Sequence, residues 1–210
     1  YRADGDACAA VVADLRAAGR RGLALRADSA DLGAVRAAVD RSAAELGRLD
    51  VLVSSAGVFP HGPLEDVSLE EARTTMAVHA LAPFVAAQAA AAHLPAGGRV
   101  IAIGSCFAER VPYAGVSLYA MSKAALTGMA KGLARDLGPR GITVCVVHPG
   151  STDTDMNPAD APEAEAERAH IALGRYAAPE EVAATVVALA GPAGAYVTGA
   201  SIAVDGGFAA

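Results

Sequence analysis

The sequence predicts a doubly wound α/β fold, in which one parallel sheet carries helices on both faces. Three observations lead there. Segments with apolar residues at helical spacing alternate along the chain with short apolar runs. Those runs, among them "LDVLVSSAG", "GRVIAIGS" and "GITVCVVHPG", are continuous, the mark of strands buried on both faces. Several of them end in Gly or Pro turns that lead on to the next helix.

Residues 4–18 read as a helix with Val11, Val12 and Leu15 on one face, closed by Gly19. A strand is expected over 23–27. Ser29 or Asp31 caps the next helix, which carries Val35, Val39 and Leu46 and ends near Gly47. The strand around 51–54 runs into a Gly turn. Ser68 followed by Glu71 forms a capping box for a long Ala-rich helix that reaches about His93. The strand ending at Ser105 precedes a helix over 117–137, and "GITVCVVHPG" is the next strand. An irregular segment over about 151–175 follows, its 157–168 part polar and read either as a lid or as a solvated loop with a short helix. A helix over 179–190 has Pro179 in its first turn, and the last strand covers 201–204. No repeat or low-complexity linker divides the chain, so 1–210 reads as a single domain, within the ~250 residues common for such folds.

Composition excludes several classes. Ala supplies 53 of the 210 residues and Trp none, so the core is built from small aliphatic side chains. A formal charge of −6 gives no general attraction for phosphate backbones or anionic membranes, which argues against nucleic-acid binding. No uninterrupted apolar run approaches the ~18 residues of a membrane span. Cys8, Cys106 and Cys145 are odd in number and far apart, with neither zinc spacing nor a disulfide framework, which fits a reducing, cytoplasmic setting.

The candidate chemistry lies in "YAMSK". Tyr119 and Lys123, four residues apart on a helix, share one face about a turn apart. An ammonium beside a phenol favours the phenolate, which suits the Tyr to general acid–base work. The chain has 15 Arg and only two Lys, so Lys in this slot is notable; an Arg fork is no equivalent of a compact ammonium. Ser105 stands at a strand C-terminus, where open parallel sheets form their ligand crevice. It either bonds a substrate oxygen or caps the loop. "IGSCF" has no Gly-x-Ser-x-Gly elbow, which argues against a hydrolase nucleophile. His148, Asp153 and Asp155 in "HPGSTDTD" are explained by the Pro-Gly loop, and no metal site is expected.

Ser105, Tyr-x-x-x-Lys at 119 and 123, "SSAG" at 54–57, "HPG" at 148–150 and "VTGASIAVDGGF" near the end together resemble the short-chain dehydrogenase/reductase family. They run through the whole chain in the family's order. The likeness is strongest to bacterial 3-oxoacyl-[acyl-carrier-protein] reductases and related ketoreductases. The resemblance implies a Rossmann-type sheet and a reaction in which hydride from a nicotinamide cofactor reduces a carbonyl. Tyr119 would deliver the proton, Lys123 would hold the nicotinamide ribose, and Ser105 would polarise the carbonyl. Ser54, Ala56 and Gly57 would lie along the cofactor, Asp28 at the adenine, and Pro149, Gly150 and Thr154 beside the nicotinamide amide and diphosphate. His79 stands where the family commonly has an Asn that supports the Lys through a water relay. A His also relays protons, and the alternative is a packing role. The family pattern further implies a small carbonyl or alcohol substrate, with an acyl carrier as a candidate partner reached through a local Arg patch that includes Arg110. It also implies a homodimer or homotetramer, built on the Ala-rich helices over 68–93 and 117–137.

The Gly-rich turn that cradles a dinucleotide diphosphate does not occur in the chain, which opens at Tyr1 directly before a helical pattern. In the 3-2-1-4-5-6 strand order, the strands over 23–27 and 51–54 would then stand ~14 Å apart with two strands absent between them. A preceding strand–helix–strand unit of ~30 residues is therefore expected. Arg2 would fall at the end of strand 2, where a basic residue holds the NADP phosphate, so NADP is expected, with NAD the alternative. A non-catalytic binding protein of the same fold is the competing functional reading.

Overall fold

A computed structural model of the protein describes residues 5–210. Its elements are α1 (Gly5–Ala17), α2 (Leu32–Leu46), β1 (Val51–Ser54), α3 (Leu69–Met76), α4 (Ala82–Ala91), β2 (Arg99–Ile103), α5 (Ser117–Leu137), β3 (Thr143–Pro149), α6 (Ala164–Arg168), α7 (Pro179–Ala190) and β4 (Ala200–Val204). A π turn over Ala77–Leu81 joins α3 to α4. The four strands form one sheet in the order β1-β2-β3-β4, every pair parallel. The register sets Val53 opposite Ile101, Ile101 opposite Cys145, and Cys145 opposite Ala200. This is the expected doubly wound α/β architecture.

Local chemistry sets the boundaries. Gly19 and Gly47, both at positive φ, end the first two helices. Asp31 caps α2 by accepting the Ala34 N–H at 3.0 Å, and Ser68 caps α3 by accepting that of Glu71 at 3.0 Å. Pro179 opens α7, where the Glu181 carboxylate accepts the Ala178 N–H at 2.8 Å.

Alternation along the central strands divides the core in two. Val100, Ala102, Val144 and Val146 face α4 and α5, against Ala87, Ala90, Leu126 and Leu133. Ile101, Cys145 and Val147 face the opposite side, against Leu189, Val182 and Val186 of α7. Ala87 and Ala90 are completely buried, so the abundant Ala places helix close to sheet. The stretch Leu69–Ala91 is long and apolar enough to cross a membrane by length and composition. Half of its most apolar window is buried inside the fold, as in a core helix of a globular domain.

The structure departs from expectation in two places. The run 23–27 forms no strand. A strand exists by pairing, and the doubly wound order puts two further strands between that run and β1; none of the described residues supplies them. Burial on both faces also holds only for the central strands. β2 and β3 are buried almost throughout, whereas β1 and β4, the outer strands among the described residues, are only half covered.

Close packing of α4 gives a direct test. Ala90→Leu should lower stability by about 1–3 kcal/mol through overpacking, whereas Ala92→Leu, exposed near the end of the same helix, should stay within ~0.5 kcal/mol. Urea denaturation of the two variants checks this, and equal midpoints would contradict the packing described.

Candidate active site

Because the four strands are parallel, their C-terminal ends meet at one edge of the sheet. A cavity of about 500 Å³ opens there, bordered by Gly57 after β1, Ser105 after β2, Pro149 at the end of β3 with Gly150, Ser151, Thr152 and Thr154 after it, and Tyr119 and Lys123 from α5. Thus Ser105, Tyr119, Lys123, Gly57, Pro149, Gly150 and Thr154 come together as expected.

Lys123 is only 5% exposed, and its Nζ donates to the Ile103 carbonyl at 3.1 Å. Burial lowers its pKa to about 8. Its Nζ lies 5.8 Å from the centre of the Tyr119 ring. Tyr119 departs from the sequence expectation: its pKa is raised, because burial of the phenol outweighs the Ser105 hydroxyl that pulls it back down. At neutral pH the phenol is a poised proton donor.

Ser105 caps the loop, one of the two roles expected for it: its Oγ accepts the Phe107 N–H at 3.2 Å in the short turn Cys106–Ala108, and its hydroxyl also meets the catalytic candidate Tyr119. Its backbone is held by His148, which sequence reasoning had assigned to the Pro-Gly loop alone. His148 is 1% exposed, and its Nδ1 accepts the Ser105 N–H at 3.0 Å. That makes Nδ1 the bare nitrogen and Nε2 the protonated one, 3.4 Å from Thr127 Oγ1. The imidazole fits because residue 104 is Gly, where a Cβ would stand 2.3 Å from Nδ1. No local pattern signals this pairing.

His79 has the same design. It sits in the π turn, where the α-helical donor for its carbonyl would be residue 83, a proline with no N–H. Its Nε2 accepts the Val58 N–H at 2.9 Å, so Nδ1 carries the proton and donates to Ser122 Oγ at 2.8 Å; Ser122 Oγ in turn donates to the Tyr119 carbonyl. Burial, and then the Lys123 charge, push its pKa down to about 4. Both ring nitrogens are engaged, so His79 braces the loop after β1 against α5 and has no free nitrogen for a relay.

The remaining sequence-derived residues fall elsewhere. Ser54 ends β1, and neither it nor Ala56 borders the cavity, whereas Ser55 does. Asp28 does not border it either; its carboxylate accepts the Ala30 N–H at 2.9 Å. Arg2 lies outside the described residues. Arg110 hydrogen-bonds the Phe208 carbonyl and lies 5.4 Å over its ring, so its guanidinium is engaged within the chain. Asp153 accepts the Ala159 N–H at 2.8 Å. Sequence reasoning missed Phe59 and Phe107, whose rings meet Tyr119 edge-on at 4.8 and 5.9 Å, and Tyr113, which packs on Phe107. The segment after β3 borders the cavity through Met156, Asn157 and Glu167 and is anchored by buried Ala164, Ile171 and Tyr176.

Comparison with known proteins agrees with this geometry. Residues 2–209 match the family profile described as enoyl-(acyl carrier protein) reductase. A short-chain dehydrogenase from Burkholderia cenocepacia J2315, solved in complex with NADP, superposes with a TM-score of 0.99 at 53% identity, over 100% of this chain and 86% of that one. The cyclic-di-GMP-binding biofilm dispersal mediator protein of Escherichia coli K12 is 45% identical over 87% of this chain and 76% of its own length. D-threitol dehydrogenase of Mycolicibacterium smegmatis is 38% identical over 86% and 71%. The chain therefore belongs to the short-chain dehydrogenase/reductase family.

Proposed function

We propose that the protein is an NADP(H)-dependent oxidoreductase that interconverts a small ketone and its secondary alcohol. The observation that carries this reading is the meeting of the Tyr119 phenol, the Ser105 hydroxyl and the buried Lys123 ammonium at one end of a cavity on the C-terminal edge of a parallel sheet. NADP is favoured over NAD by the B. cenocepacia relative crystallised with it.

The donor set suits a nicotinamide riboside. Lys123 and the hydroxyls of Thr152 and Thr154 offer polar contacts to ribose and amide, while Ile103 and Val182 offer apolar ones to a ring. The bound cofactor supplies or takes up a hydride. Lys123 has three N–H donors, and the Ile103 carbonyl takes one, which leaves others for ribose hydroxyls. Ser105 orients a carbonyl oxygen through its hydroxyl. Tyr119 gives that oxygen a proton in reduction and takes it back in oxidation. His79 and His148 are positioning residues that hold the loops carrying Val58 and Ser105.

A second reading, a non-catalytic binding protein of the same fold, is kept by the E. coli relative named for binding cyclic-di-GMP. NADPH titration followed by its oxidation with small ketones separates the two. Ketone-dependent oxidation supports the enzyme, and NADPH binding without turnover on any ketone supports the binder. An acyl carrier finds no support in Arg110, and a reducing compartment is consistent with Cys8, Cys106 and Cys145 all being free thiols.

Tyr119→Phe should lower kcat for ketone reduction by about 10²–10⁴-fold, with NADPH binding retained. The rate of reduction should also fall as pH rises through about 8, where Lys123 loses its charge. Lys123→Arg, permanently charged, should abolish that limb whatever its absolute rate; a pH–rate profile of the two proteins checks both statements. Acid stability tests the His79 brace. The unfolded imidazole takes its proton near pH 6.5 and the folded one near 4, so between those values the unfolded state holds more protons and stability is lost as the pH is lowered. In His79→Asn that loss should shrink, His148, whose pKa burial also lowers, accounting for a remainder. Thermal unfolding from pH 4 to 7 measures it.

A further inference from the structure

The cavity wall around Tyr119 has an unusual chemistry. The chain has only four Phe and five Tyr, yet Phe59, Phe107, Tyr113 and Tyr119 all border this one cavity. They meet edge to face, Phe107 against Tyr113 at 5.5 Å and against Tyr119 at 5.9 Å, which leaves ring faces and edges to receive a flat apolar group. Beside them stands a single carboxylate, Glu167 of α6. Its Oε1 accepts the Tyr113 hydroxyl at 2.9 Å and its Oε2 accepts the Ser151 hydroxyl. These donors come from two different loops, one after β2 and one after β3, so Glu167 joins α6 to both.

Among the described residues, no cation forms an ion pair with that carboxylate. Of those that border the cavity, Lys123 is the only cation, and it belongs to the reacting groups. Arg168, next in sequence to Glu167, hydrogen-bonds the Ala159 carbonyl, pairs with Glu165 at 3.1 Å and lies 5.5 Å over the Tyr176 ring. Arg110 is held on Phe208. An anionic group carried against this wall meets a carboxylate with no ion-pair partner, whereas a neutral ring meets aromatic surface and two already satisfied hydroxyls.

We propose that Glu167 is a specificity-determining residue that filters substrates by charge, so that the site takes uncharged, ring-bearing ketones or alcohols and refuses their carboxylate counterparts. This rests on reading the site as a carbonyl reductase, and it commits that reading to a substrate class.

The test pairs two ketones that differ by one carboxylate on the ring, acetophenone and 4-acetylbenzoate, with NADPH. The wild type should prefer acetophenone in kcat/KM by at least about tenfold, the scale expected for like charges a few ångströms apart near a protein surface. Glu167→Gln should narrow that ratio about tenfold or more. Tyr113→Phe, which removes a hydrogen bond and keeps the charge, should leave the ratio in place. A ratio unmoved by Glu167→Gln, or moved equally by Tyr113→Phe, overturns the filter. Calorimetry of benzamide and benzoate on the NADPH-bound protein reads the same selection without turnover. Benzamide binding in the wild type, with benzoate binding gained in Glu167→Gln, upholds the filter even if neither ketone is reduced, in which case only the catalytic reading fails. Equal binding of the two by the wild type overturns the filter.

Discussion

One hydrogen bond organises the site. Lys123 Nζ donates to the Ile103 carbonyl at 3.1 Å and ties α5 to the end of β2. An ammonium this buried is costly unless polar groups receive it, so the helix cannot slide along the sheet without stranding the charge. Tyr119 lies one turn before Lys123 on the helix, and Ser105 two residues beyond Ile103, where β2 ends. Fixing Lys123 on Ile103 therefore fixes the distance between the phenol and the serine hydroxyl. The same burial brings the Lys pKa down to about 8, so the tether is also a group whose charge changes near physiological pH.

Two neutral imidazoles complete the frame by the same device. His79 and His148 each accept a backbone N–H from a loop that borders the cavity and place their protonated nitrogen toward a hydroxyl on α5, Ser122 or Thr127. α5 is thus the common reference for the loops after β1 and β2. Glu167 closes the far side by linking the segment after β3 to Tyr113 and Ser151. Positions around Tyr119 are set by groups that are themselves buried and hydrogen-bonded, which is what a preorganised site requires.

What the sequence revealed was local. Tyr119 and Lys123 are read from a four-residue spacing, Ser105 from its place at a strand end, and the ends of α2 and α3 from Asp31, Gly47 and Ser68. Each signal lies within one turn or one loop of the structure it sets. The contacts that eluded sequence reading are long-range. His148 meets Ser105 across 43 residues, and the enabling feature is the absence of a Cβ at Gly104. Phe59, Phe107 and Tyr113 converge from separate loops, and Glu167 reaches Tyr113 across 54 residues. The run 23–27 fails as a strand for a related reason, since strand identity depends on pairing partners that its own residues do not encode. The lowered pKa expected for Tyr119 reverses because burial, which spacing does not reveal, raises it and outweighs the hydrogen bond from Ser105.

Isotope transfer tests the central claim most directly. With NADPH deuterated at the transferable C4 position and a small neutral ketone, the account predicts one deuterium on the carbinol carbon for each NADPH consumed, and loss of that transfer in Tyr119→Phe. NADPH consumption without deuterium in the alcohol, or transfer undiminished in Tyr119→Phe, would contradict it.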